Sequence, residues 1–185
     1  LIPIAARDWG SIMGKRSGIG SHTKPGQGST DSWITPKWII DRLGPFDLDP
    51  CEADPQPWKC AENGFRNNGI CRPWSGRVWL NPPYGKQTGA WLTKLAEHQN
   101  GTALIFARTE TKFFIDCVWK KATAVLFIKG RLSFYTPEGD KGRNAGGPNV
   151  LVAYDQDNAL RLLESGIPGA YVSNWRLNAN GNASG

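Results

Sequence analysis

Apolar positions through the middle of the chain follow two alternating rhythms. Short unbroken apolar runs read as buried strands: Val78-Trp79-Leu80, then 102–107, 124–128 and 149–154. Between them the apolar residues recur at three- and four-residue spacing. Trp91, Leu92 and Leu95 share one face of a helix predicted over about 87–98, and Phe113, Phe114, Cys117 and Val118 share a face of the next. An earlier helix is predicted with Thr35 as N-cap and Pro36 as its first residue; Trp38, Ile39, Ile40 and Leu43 point inward and Gly44 closes it. Phe46 and Leu48 alternate in a short strand that ends at Asp49-Pro50. Residues 51–77, rich in Pro, Asn and Gly, predict loops with at most a short helix or strand. Lys129-Gly130-Arg131 breaks the 124–128 strand, 132–135 resumes it, and 136–148 reads as a polar, Gly-rich loop. The 149–154 run then returns antiparallel, and a short helix near 157–164 and a strand near 170–172 finish the pattern.

This alternation predicts a single α/β domain over 31–177, its sheet mostly parallel with an antiparallel edge hairpin. Residues 1–30 carry Gly, Ser and basic side chains without periodicity and are expected to be a flexible basic arm; 178–185 reads as a flexible tail.

Composition narrows the partners. In 185 residues, 39% hydrophobic and 21% charged residues suit an ordinary globular domain. No apolar run is long enough to span a membrane, and no secretory leader pattern opens the chain, so a cytoplasmic protein is expected. The formal net charge of +6 fits a polyanionic partner such as nucleic acid. Nine tryptophans can build a core, stack on bases, or both. Cys51, Cys60, Cys71 and Cys117 form no C-x-x-C pair, so reduced thiols rather than metal ligands are expected, and no metal.

The candidate chemistry sits at Asn81-Pro82-Pro83-Tyr84, directly after the Val78 strand. Neither proline can donate to a ladder, so the strand stops and the Asn81 amide is aimed off its end. An Asn carbonyl and a rigid backbone carbonyl together can accept both protons of an exocyclic amine, and a Tyr ring can stack on the base that carries it. Asp49, leaving another strand end, can accept from a ribose or an ammonium group.

Three stretches occur in order: Asp31-Ser32-Trp33-Ile34-Thr35-Pro36, Phe46-Asp47-Leu48-Asp49-Pro50 and Trp79-Leu80-Asn81-Pro82-Pro83-Tyr84, followed by Lys129-Gly130-Arg131-Leu132-Ser133-Phe134. Together they resemble the phage-type DNA N6-adenine methyltransferases, the Dam proteins of bacteriophages and prophages, over roughly residues 30–155. The resemblance implies a compact class I methyltransferase fold that takes S-adenosylmethionine as cofactor and double-stranded DNA as substrate. It implies that Asn81, Pro82, Pro83 and Tyr84 are catalytic and that Trp33, Thr35, Pro36, Asp47, Asp49 and Pro50 lie on the cofactor side. One departure stands out: Cys51-Glu52-Ala53-Asp54 follows the first strand where most such enzymes carry a Gly-rich loop. Lys129, Arg131, Lys141 and Arg143 are expected to contact phosphates beside Tyr84, on a hairpin standing in for a target-recognition domain. So little chain for base readout predicts a short or relaxed target sequence. The same amine clamp would serve protein glutamine, cytosine N4 or RNA, and a non-catalytic DNA-binding protein on a degenerate methyltransferase fold is a further alternative.

Overall fold

The computed structural model describes residues 33–175; the expected arm at 1–30 and the tail at 178–185 lie outside them. Helix α1 (Lys37–Leu43) leads to β1 (Leu48–Asp49), β2 (Asn63–Gly64) and β3 (Val78–Leu80). After α2 (Thr88–His98) come β4 (Gly101–Phe106), a π-helical turn at Phe114–Trp119, and β5 (Ala124–Ile128). Strands β6 (Ser133–Tyr135), β7 (Lys141–Asn144) and β8 (Asn149–Tyr154), helix α3 (Gln156–Glu164) and β9 (Gly169–Ser173) complete the order.

Seven strands form one sheet in the order β2-β1-β3-β4-β8-β5-β9. The β1–β2, β1–β3 and β3–β4 pairs are parallel, whereas β8 is antiparallel to both β4 and β5, and β9 to β5. Strand β5 therefore runs with β1 to β4, and only β8 and β9 oppose them. The sheet is thus a mixed one with a mostly common strand direction. Ile39, Leu43, Trp79, Leu104, Leu151 and Leu162 belong to the core on one face, under α1 and α3. Leu80, Leu92, Leu95, Phe114, Val150 and Val152 belong to the core on the other, under α2 and the π-helical turn. Each such side chain contributes about 1.5–3 kcal/mol by leaving water.

Several expectations shift. The antiparallel element at the edge is β9 alone, because β8 is buried along its whole length and pairs on both sides. The expected hairpin is instead a separate two-stranded sheet, and the presumed loop at 136–148 contains β7, whose Asn144 accepts from the Ser133 hydroxyl at 2.7 Å. Helix α1 starts one residue late: Pro36 takes the cap position, and Thr35 makes no side-chain cap bond. Trp38 faces outward, 39% exposed, because Ile39, Ile40 and Leu43 already fill the sheet side; the Arg42 guanidinium lies 5.5 Å from its ring centre. Phe113 stays half-buried, its Cβ lying 3.2 Å from where a side chain on Gly89 of α2 would begin.

From β1 the chain moves to β2 on one side and then to β3 on the other. The carboxyl ends of β1 and β3 therefore flank a topological switch point, where open α/β sheets leave a crevice.

Candidate active site

Asn81 is the first residue beyond β3, so its amide stands off the sheet's carboxyl edge. Its Nδ2 donates to the Trp33 carbonyl at 2.7 Å. A backbone carbonyl can only accept, so this contact turns the amide nitrogen toward Trp33 and Oδ1 away from it. Oδ1 receives a long 3.3 Å bond from the Tyr84 hydroxyl and keeps a second lone pair. Thr88, the first residue of α2, pins the turn: its hydroxyl donates to the Pro83 carbonyl at 2.9 Å and accepts from Gly85 N at 3.1 Å. Among the described residues no hydrogen bond uses the Pro82 carbonyl.

Tyr84 is half-buried; burial pushes its phenol above the ordinary pKa, so it stays protonated and donates. Phe106, the last residue of β4, covers one face of the ring at 4.5 Å and 34°, and Phe134 meets it edge-on at 6.2 Å.

The Trp33–Pro36 stretch is held from two sides. Ile34 bridges to Tyr135 of β6 through reciprocal backbone bonds of 2.9 and 3.0 Å. Trp58 Nε1 donates to the Thr35 carbonyl at 3.0 Å. The Trp33 ring rests on Gly142 of β7, where an added Cβ would stand 2.8 Å from it.

A cleft of about 220 Å³ opens at the switch point, with Trp33, Thr35, Asp49, Pro50 and Asn81 to Tyr84 on its walls. Asp49 is buried, accepts from Cys51 N at 2.9 Å and has no basic partner among the described residues. Burial pushes its carboxyl from 3.8 to about 7, against the opposing bond from Cys51 N–H. Burial likewise pushes the Cys51 and Cys60 thiols well up, as expected of inert cysteines. Among the described residues no cluster of three or more His, Cys, Asp or Glu is placed to hold a metal ion.

The walls fit a polar cofactor. Six buried side-chain nitrogen and oxygen atoms among the described residues lack a partner, and three of them, Thr35 Oγ1, Trp79 Nε1 and Trp91 Nε1, belong to residues around the cleft. Buried polar groups are ordinarily paired, so these donors and the lone carboxylate ask for a ligand with hydroxyls and positive charge. No glycine loop follows β1. Instead the Asn68-Gly69 turn closes on it so tightly that a Cβ on Gly69 would stand 1.9 Å from the Pro50 carbonyl.

Two of the six expected cofactor-side residues lie elsewhere. Asp47 is exposed, its carboxylate accepts from Arg77 N at 2.6 Å, and its backbone already bonds to Arg77 and Asn63 just before β1. Pro36 is buried at the α1 cap, away from the cleft walls.

Basic groups gather on the same edge. Lys86 follows Tyr84-Gly85, Arg108 lies two residues past β4, and Lys129 and Arg131 follow β5; all are exposed. Arg131 Nη1 lies 3.8 Å from where a Cβ on Gly147 would stand, and that point is 3.2 Å from Phe106. Lys141 is exposed on β7; Arg143 belongs to the same strand. Among the described residues none of Lys86, Arg108, Lys129, Arg131 and Lys141 pairs with a carboxylate. Lys86 and Arg108 escape a reading by charge runs because each is a single cation just past a strand end.

No curated protein and no solved structure matches the chain. A family model for DNA N-6-adenine-methyltransferase (Dam) matches residues 20–182, which takes in the Trp33–Pro36 stretch, the cleft and the basic edge. The chain therefore belongs to the DNA N-6-adenine-methyltransferase (Dam) family.

Proposed function

We propose that the protein methylates N6 of an adenine flipped out of duplex DNA, at a short target sequence, on a compact class I methyltransferase fold. The observation that carries this reading is the Asn81 amide at the mouth of the cleft. Its nitrogen is anchored to the Trp33 carbonyl, and its oxygen keeps a lone pair beside the unused Pro82 carbonyl. Those two acceptors suit the two protons of an exocyclic amine and draw its lone pair out of conjugation. Thr88 and the prolines hold them in place before the substrate arrives, so catalysis is mainly positioning and electrostatics.

S-adenosylmethionine, when bound, supplies an electrophilic methyl on a sulfonium. Asp49, Thr35, Trp33 and Pro50 would hold it, the Asp49 carboxylate facing its positive charge. The amine nitrogen carries the proton until after transfer, so no strongly basic side chain is required. The pocket at the carboxyl ends of co-directional strands, at a switch point, supports the fold assignment. An adenine inside the stack cannot reach Asn81, which is why flipping is part of the proposal. The unpaired Lys86, Arg108, Lys129, Arg131 and Lys141, together with Arg143, would take the phosphates on either side.

The test is to incubate the protein with methyl-labelled cofactor and DNA, RNA or protein, digest the product and identify the labelled unit. N6-methyladenine from DNA is the expected result. Label in cytosine, in RNA or in glutamine would overturn the acceptor assignment, and no transfer with no cofactor binding would favour a non-catalytic protein.

A further inference from the structure

Asn149 is 1% exposed, and neither its Oδ1 nor its Nδ2 has a partner among the described residues. An amide left in that state costs stability relative to one that is hydrogen-bonded, so a group must meet it or the position is a liability. Its place in the sheet says where that group would come from. Strand β8 is antiparallel to β4, so its first residue, Asn149, lies at the carboxyl edge from which Asn81 to Tyr84 depart. Side chains alternate along a strand, and Leu151 and Ala153 both face the core that Tyr84 packs against. Asn149 continues that row and is its only polar member. Directly across the ladder is Phe106, whose ring carries Tyr84 at 4.5 Å. The amide thus stands on the Tyr84 face of the sheet, at the active edge.

We infer that Asn149 is a base-reading residue: its amide nitrogen donates to a ring nitrogen of the target adenine while Asn81 and Pro82 hold N6. With both N6 protons taken by Asn81 and Pro82, a ring nitrogen is the neighbouring acceptor on adenine, and an Asn amide nitrogen can donate to it. The inference rests on the adenine reading above.

The test uses Asn149→Leu, with Asn149→Ala as the smaller variant, on DNA carrying adenine, 7-deazaadenine or 1-deazaadenine at the target. Removing an unpaired buried amide leaves the cofactor-free fold as stable as before or more so. Thermal unfolding is therefore expected to be unchanged or higher and cofactor affinity unchanged. On adenine kcat/KM is expected to fall on the order of a hundredfold, as when a site loses its partner to a substrate polar group. One deaza substrate is expected to penalise the wild type by a similar factor and to cost the variants nothing more. Variants that are stable and fully active would overturn the inference. So would variants whose activity falls only in step with their stability, or a deaza penalty as large in the variants as in the wild type. A wild type that methylates no adenine would sink the functional reading itself, which the unmodified substrate detects separately.

Discussion

The two halves of the sheet are built differently. On one side, β2, β1 and β3 are two or three residues long, joined by irregular loops, and their ends carry Asp49, Asn81 and the cleft. On the other, β4 and β8 each run six residues, and in β8 every residue is buried. The long strands hold the fold together. The short ones let the chain leave the sheet early, so polar groups collect where backbone pairing has already stopped. Unpaired polar atoms around the cleft are tolerable because the neighbouring half supplies the stability.

That contrast can be broken most sharply at Asn81. Asn81→Ala is expected to lower kcat on the order of a thousandfold or more, in line with losing a preorganised polar contact to the reacting group. Its unfolding temperature and cofactor affinity should stay close to wild type, as calorimetry would show. Native turnover in that variant would remove the clamp from the mechanism. Leu151→Ala tests the opposite half: a fully buried side chain in β8 is lost, at a cost of roughly 2–5 kcal/mol in urea unfolding, with the residual folded protein still active.

Asp49 belongs to both stories. Its folded pKa is raised, so it contributes stability below its ordinary 3.8 that is lost as pH rises through about 7. Asp49→Asn should remove that slope and leave the unliganded protein roughly 4 kcal/mol more stable at pH 8 than wild type, while weakening cofactor binding. A wild type and variant with parallel stability curves between pH 4 and 8 would show that the carboxylate is solvated. The smallest effect is expected at the basic edge. Lys86→Ala with Arg108→Ala should lower the slope of log affinity against log salt by about two and weaken DNA binding by roughly tenfold. Lys121→Ala, at the opposite end of β5, should change neither by comparison.

How much of this was legible in the sequence follows from how local each signal is. Val78 to Tyr84 announced its strand, its stop and its amide because apolar run, prolines and ring are consecutive. Asp49 was visible for the same reason. Asp47 was expected beside the cofactor from the resemblance alone; its carboxylate instead accepts from Arg77 N, a contact across 30 residues that no local pattern encodes. Strand β7 was hidden because Lys141 to Asn144 carry no apolar residue; its partner β6 and the Trp33 ring define it instead. The Trp33 carbonyl, Phe106 and Asn149 owe their places to contacts across many residues of chain. No spacing in one sequence encodes such contacts.

The Ile34–Tyr135 bridge sets a rule for redesign. One residue back from it, the same segment offers Asn81 its carbonyl, so the turn-proximal end of β6 and the Asn81 amide share a single mount. The turn at 136–140 starts directly after Tyr135 and closes through Thr136 N and the Asp140 carbonyl. A library that randomises the turn must therefore leave the Tyr135 backbone in place if the Asn81 amide is to keep its setting. A graft that exchanges the whole hairpin must likewise return the Tyr135 backbone to Ile34, or it will move the Trp33 carbonyl that anchors Asn81.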